Sequence, residues 1–184
     1  GLELQSGRPD RALEVLALAH EQDLLQASEL TRFARLHAAL GIPEKAARLL
    51  GEWRESGRLA VTLKRLRTEA DLWLMARERQ SAMTVYEQAS RISSDGRDDY
   101  RRGRILFDTG RWRDSLGVLR RALQRGGLQA PHKARLLAGI AAFQSGDTET
   151  ARELLKKAAA DPTTRPQASA WPTRQARWRP PSRP

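Results

Sequence analysis

The chain contains no cysteine and no asparagine, three histidines, and only 5% aromatic residues. Without cysteine there are no disulfides and no thiolate metal sites, and the compartment is left open. No apolar run approaches the roughly 20 residues a bilayer-spanning helix needs, so no membrane insertion is expected. No basic segment followed by an apolar one marks a signal peptide. Val, Ile and Thr do not alternate at the two-residue period of strands. His20, His37 and His132 lie far apart in paired-ligand-free surroundings, so neither a metal centre nor a cofactor is expected. His37 falls on an apolar helix face and reads as a packing residue, while His20 and His132 fall at helix ends. The neighbouring acids Asp98 and Asp99, and Glu69 with Asp71, form no acid–base constellation and read as loop and helix-surface charges. Gly126-Gly127 has no strand before it and no Lys-Ser/Thr after it, which rules out a phosphate loop and leaves a hinge. The chain is therefore read as not an enzyme.

Charge is one-sided, at +11 over 184 residues. Part of the excess is local: no acid follows Asp161, whereas Arg165, Arg174, Arg177, Arg179 and Arg183 do. Residues 172–184 hold four prolines and four arginines, cannot continue a helix past Pro172, and are expected to be a disordered Pro/Arg-rich tail. An Arg-rich body also permits nucleic-acid binding, the lesser reading of the charge.

What is present is a repeat. Gly7 and Ala12, Gly41 and Ala46, Arg77 and Ala82, Gly110 and Ser115, and Gly146 and Ala151 are pairs five residues apart. Their second members are separated by 34, 36, 33 and 36 residues. Apolar residues follow each pair at helical spacing: Leu13 and Leu16, Leu49 and Leu50, Val85 and Tyr86, Leu119, Leu155. The glycine is the kind of residue that ends one helix in the left-handed region, and the small residue admits a close second helix. Gly103 and Gly139 sit at matching mid-helix positions, where glycine costs roughly 1 kcal/mol against alanine, and imply close helix contact. Only Arg77 breaks the turn-glycine pattern. A period near 34 with this signature is that of a tetratricopeptide (TPR) array. The expected fold is all-α, a right-handed α-solenoid of antiparallel helix pairs. Residues 1–162 form the array, about four and a half repeats with the first truncated. Residues 163–171 form a short capping helix before the tail.

Gly103, Leu106, Gly110, Trp112, Leu119 and Ala122, with Gly139, Gly146, Ala151 and Ala158, resemble the TPR consensus. A narrower resemblance covers residues 36–59, 66–90 and 110–171. It is to the TPR proteins encoded beside ExbB, ExbD and TonB in bacterial energy-transduction clusters. It rests on the Gly126-Gly127-Leu128 break, on Leu137-Ala138-Gly139-Ile140, and on a last helix ending at Trp171; Pro172 departs from that pattern. This resemblance implies a periplasmic role in TonB-dependent uptake, with TonB-system components as partners. The runner-up is a cytoplasmic regulatory or assembly protein.

The TPR resemblance also implies a groove lined by the first helix of each pair, at 18, 15, 11, 8 and 7 residues before the small residue. Carried over residue by residue, these positions hold Arg35 in the second repeat and Lys64, Arg67 and Asp71 in the third. They hold Arg97, Tyr100, Arg104 and Phe107 in the fourth, and Lys133 and Phe143 in the fifth. Arginine forks suit carboxylates and the aromatic rings suit apolar side chains, so the expected function is a scaffold that binds a protein or peptide segment. The chaperone-type carboxylate clamp of some TPR proteins needs asparagines, which this chain lacks. Uncapped ends of such a stack also favour self-association.

Overall fold

A computed structural model describes residues 9–171. The expected helix stub at residues 2–6, the turn at Gly7 and the tail at 172–184 lie outside the described residues. The rest divides into two compact units that meet in sequence between Ser93 and Ser94. Among the described residues the first unit holds α1 (Pro9–Glu21), α2 (Ala27–Ala39), α3 (Pro43–Glu55), α4 (Leu63–Met75) and α5 (Arg79–Ile92). The second holds α6 (Arg97–Asp108), α7 (Trp112–Arg125), α8 (Pro131–Gln144), α9 (Thr148–Ala158) and α10 (Arg165–Ala170). Ten helices and no strand are thus assigned among the described residues.

The helices pair in chain order. In the first unit α2 packs on α3 and α4 on α5, with α3 against α4; in the second α6 packs on α7 and α8 on α9, with α7 against α8. The turn inside each pair is the same four times over. Gly41, Arg77, Gly110 and Gly146 take φ of 80°, 63°, 72° and 88°. Each donates its N–H back three residues, to Ala38, Leu74, Phe107 and Phe143, and the next N–H reaches back five residues. These bonds satisfy carbonyls that a helix end leaves orphaned. Helix starts are fixed by local chemistry as well. Gln26 and Glu29 form a capping box on α2, and the side chains of Thr62 and Asp147 accept from Arg65 N and Thr150 N. Proline opens α3, α8 and α10.

The small residues of the repeat signature are the innermost points of each pair: Ala46, Ala82 and Ser115 are completely buried. Ser115 keeps its hydroxyl satisfied by donating to Gly103 O at 2.8 Å. The first unit is held by a cluster around Leu30, Phe33, Leu50, Trp53 and Leu59. The second is held around Leu116, Leu119 and Ala142, with a further cluster where Leu155, Ala158 and Ala168 join α10 to the last pair.

Three acids expected on the surface are buried, which corrects that reading. Glu69 is 3% exposed and takes both a 3.0 Å and a 3.2 Å bond from the Arg54 guanidinium. Asp98 and Asp99 lie in the buried first turn of α6, where the N-terminal end of the helix favours negative charge. Asp99 is also paired with Arg125 at 3.0 Å and Arg121 at 3.7 Å. A first helix in such a stack is covered on two sides, and an acid there survives burial by finding an arginine on a second helix. Gly126 and Gly127 link α7 to α8 and are pinned there, since Gly96 N donates to Gly126 O at 2.8 Å.

Candidate binding face

The candidate face is the exposed side of the first helices, taken in each unit by itself. In the first unit a cleft of about 270 Å³ opens between α2 and α4. Thr31 and Arg35 line it from α2, Lys64, Arg65 and Thr68 from α4, with Thr62 at the mouth and Leu50 of α3 in the wall. Arg35 and Lys64 are exposed and make no side-chain hydrogen bond or ion pair among the described residues. Arg65 spends one guanidinium N–H on Ala60 O at 2.9 Å. Thr31 and Thr68 donate their hydroxyls to Ala27 O and Lys64 O, so the donors left for a ligand are chiefly the cations. Three cations and no carboxylate line this cleft, which gives it a positive local potential.

The other two residues expected on this face of the first unit are tied into the protein. Arg67 bonds Ser93 Oγ at 3.4 Å, and Asp71 accepts a hydrogen bond from the Tyr86 hydroxyl. In the second unit Arg104 and Lys133 are exposed and, like Arg35, make no side-chain bond among the described residues. Arg97 is paired with Asp95 at 2.6 Å. Tyr100 is half-buried beside the second unit's core, and Phe107 stands edge-on to Trp112 at 5.0 Å. Phe143 meets Trp171 edge-on at 5.4 Å, so the segment after α10 covers one side of it.

Sequence reasoning missed Arg65, Thr62 and Thr68. Arg65 and Thr68 each follow by one residue an expected position, Lys64 and Arg67, so the edge of α4 that lines the cleft lies one residue beyond the expected one. A pattern of fixed offsets names the face but does not say which edge of it meets the neighbouring helix.

A second cleft, of about 320 Å³, lies on the first unit between α3 and α5. The Arg54–Glu69 pair lines it beside Trp73 and Gly51. Burial pushes the Glu69 carboxyl up from its ordinary value, against the pull of Arg54. The bond to Glu69 holds the Arg54 guanidinium further toward its charged form. This pairing is internal and saturated. Among the described residues no group of three or more potential metal ligands occurs, and no helix is long and apolar enough to cross a membrane.

Comparison with known proteins follows the same lines. A search of curated protein sequences finds no match. The tetratricopeptide-repeat family profile matches residues 100–165, which span α6 to the start of α10. Among solved structures, a crystal structure of MamA superposes with a TM-score of 0.64 at 15% identity, over 92% of this chain and 95% of that one. MamA from Desulfovibrio magneticus RS-1, residues 41 to the end, gives 0.57 at 23% identity over 73% of this chain and 74% of that one. YrrB, described as a TPR protein with an unusual peptide-binding site, gives 0.61 at 18% identity over 85% of this chain and 79% of that one. Residues 100–165 are tetratricopeptide repeat, and the fold of the chain is that of the tetratricopeptide-repeat proteins.

Proposed function

We propose that the chain is a non-catalytic scaffold that holds a segment of another protein against the exposed sides of its first helices. The α2–α4 cleft would take an acidic segment. One observation carries this reading: among the described residues Arg35 and Lys64 have no side-chain partner and stand beside Arg65 in a cleft that no carboxylate lines. Carboxylates bound there would receive charge-assisted bonds from donors that have no internal partner to give up. The peptide-binding description of YrrB supports the same class of function. The test is fluorescence anisotropy with a panel of labelled acidic, neutral and basic peptides. Acidic peptides should bind, and Arg35→Glu with Lys64→Glu should remove that binding. Equal binding of basic peptides would overturn it. Duplex or single-stranded RNA belongs in the same panel, and a steep loss of RNA binding with salt would favour the nucleic-acid reading instead.

The wider setting we propose is accessory service to TonB-dependent uptake in the periplasm, motivated by the resemblance of residues 36–171 to proteins encoded beside ExbB, ExbD and TonB. Deleting the gene should slow uptake of a TonB-dependent substrate; unchanged uptake favours the cytoplasmic assembly role. Self-association is part of the same proposal. Val15 and Leu18 on α1 are 59% and 61% exposed, whereas Leu49, Val85 and Val118, at Val15's place in later repeats, are 8%, 4% and 7% exposed. Light scattering over a dilution series tests it, with Leu18→Glu expected to shift the chain toward monomer.

A further inference from the structure

His37 lies on α2 with 3% of its surface exposed, and neither ring nitrogen has a hydrogen-bond partner among the described residues. Its surroundings are rings. Phe33 lies 4.7 Å away, centroid to centroid. His20, from α1, is 5.4 Å from Phe33 and stands edge-on to Trp53 of α3 at 5.3 Å. Nδ1 of His20 is also buried without a partner. The groups that act on the charge of His37 are Lys45 from α3 and His20 from α1, and both oppose a positive ring. A neutral imidazole leaves one N–H unpaired in this pocket, whereas an imidazolium would leave two and add a buried charge with no acceptor.

We propose that the His20–Phe33–His37–Trp53 cluster is an acid-sensitive joint, in which protonation of His37 drives the ring to water and loosens α1 and α2 from α3. The element with least holding it is α1, whose Leu13, Leu16 and Ala17 are only partly buried against the core. Helix α2 carries both His37 and Arg35, so loosening it also disturbs the cationic cleft. The chain holds its own control. His132 has Asp161 beside it at 3.2 Å, an acceptor that His37 lacks among the described residues. Only the cluster on the first unit combines a buried imidazole with orphaned nitrogens among the described residues.

The direction follows from linkage. Burial, then Lys45 and His20, hold the His37 imidazole below its ordinary value of 6.5. The packed form therefore keeps its full stability above that value and loses it as pH falls from there through the lowered one. With an open-state imidazole near 6.5, the opening constant rises toward low pH, by at most about tenfold at pH 5.5.

Hydrogen–deuterium exchange on the full chain at pH 7.5 and 5.5, corrected for intrinsic rates, tests this. Peptides from α1 and α2 should lose protection at the lower pH, by up to about tenfold, while those from α7 and α9 keep theirs. The variant His37→Phe should remove the difference. Equal protection at both pH values, or the same loss in His37→Phe, would overturn the proposal. Where that variant does not fold, NMR titration of the wild-type ring decides. A ring that titrates below 6.5, or whose protonation coincides with loss of the native α1 signals, supports the joint. Reversible titration at 6.5 or above in the intact fold overturns it.

Discussion

Gly103 sits so close to Leu119 that a Cβ on the glycine would lie 2.7 Å from both Cγ and Cδ2 of the leucine. One repeat later Gly139 stands in the same relation to Leu155, with a Cβ falling 2.8 Å from Cγ and 3.1 Å from the backbone N. Leu119 is fully buried and has nowhere to move. Gly103→Ala is therefore expected to destabilise the second unit by about 1–3 kcal/mol through overpacking, in spite of the helix propensity alanine adds. Gly117, on the exposed side of α7, has nothing within 4 Å of its missing Cβ. Gly117→Ala should stabilise by about 0.5–1 kcal/mol. Urea unfolding of the two variants should give opposite signs, and two losses of equal size would contradict the packing argument.

Arg77 occupies the left-handed turn position that glycine fills in the other three pairs, with φ of 63°. Its side chain is exposed and makes no bond among the described residues that a substitution would remove. Arg77→Gly should then raise stability by about 0.5–1 kcal/mol, the relief of left-handed strain less the entropy glycine adds to the unfolded chain. The thermal midpoint of the variant checks this, and a lower midpoint would mean that Arg77 has a role the turn geometry does not reveal.

Much of the architecture is readable from the chain because it rests on local rules. Gly41, Gly110 and Gly146 mark turns through their own backbone freedom, and Ala46, Ala82 and Ser115 mark close contacts through their size. Gly103 and Gly139 announce the helix approach by accepting a propensity cost. The charges were harder to place. Glu69 finds Arg54 fifteen residues back, and Asp99 finds Arg125 twenty-six residues on, in each case on a second helix facing a first. Helical period assigns a residue to a side of its helix, but a side counts as surface or interior only once the neighbouring helix is in place. The candidate face shows the same limit. Arg35, Lys64, Arg104 and Lys133 stand exposed, whereas Arg67 and Asp71 are engaged by Ser93 and Tyr86, partners that no single-helix pattern names. Arg97 differs: its partner Asp95 is two residues away and could have been found by inspection.

The Arg54–Glu69 pair should be asymmetric to mutation. Both side chains are largely buried, at 14% and 4% exposed. Arg54→Met would leave the Glu69 carboxylate buried without its cation, an expected loss of about 3–5 kcal/mol at pH 7. Glu69→Gln keeps a hydrogen-bond acceptor for Arg54 but removes a charge, and is expected to cost less. Burial already raises the Glu69 carboxyl above its ordinary value of 4.5, and losing Arg54 raises it further. A raised carboxyl contributes its stability in full below the unfolded value and loses it as pH rises through the folded one. The difference between Arg54→Met and the parent should accordingly shrink on going from pH 7 to pH 4.5. Chemical denaturation of both proteins at each pH measures it, and a difference unchanged between the two would mean that the carboxylate is not the source of the loss.

Within the cationic cleft the substitutions should rank by what each side chain is already doing. Arg35 and Lys64 have no internal partner among the described residues, so reversing either removes attraction for an acidic segment and breaks nothing else. Each of Arg35→Glu and Lys64→Glu should weaken binding of an acidic peptide about tenfold or more, mainly by faster dissociation if the contact is close and by slower association if it is long-range steering. Arg67→Glu should weaken binding less and destabilise more, because Arg67 bonds Ser93 within the first unit. Arg104→Glu reports on the second unit alone, and its effect on a peptide that fills only the α2–α4 cleft should be limited to a salt-sensitive change in association rate. Stopped-flow association at two salt concentrations, with circular dichroism confirming unchanged helix content, separates these cases. Equal losses for Arg35→Glu and Arg104→Glu would place the acidic segment elsewhere than in the cleft between α2 and α4.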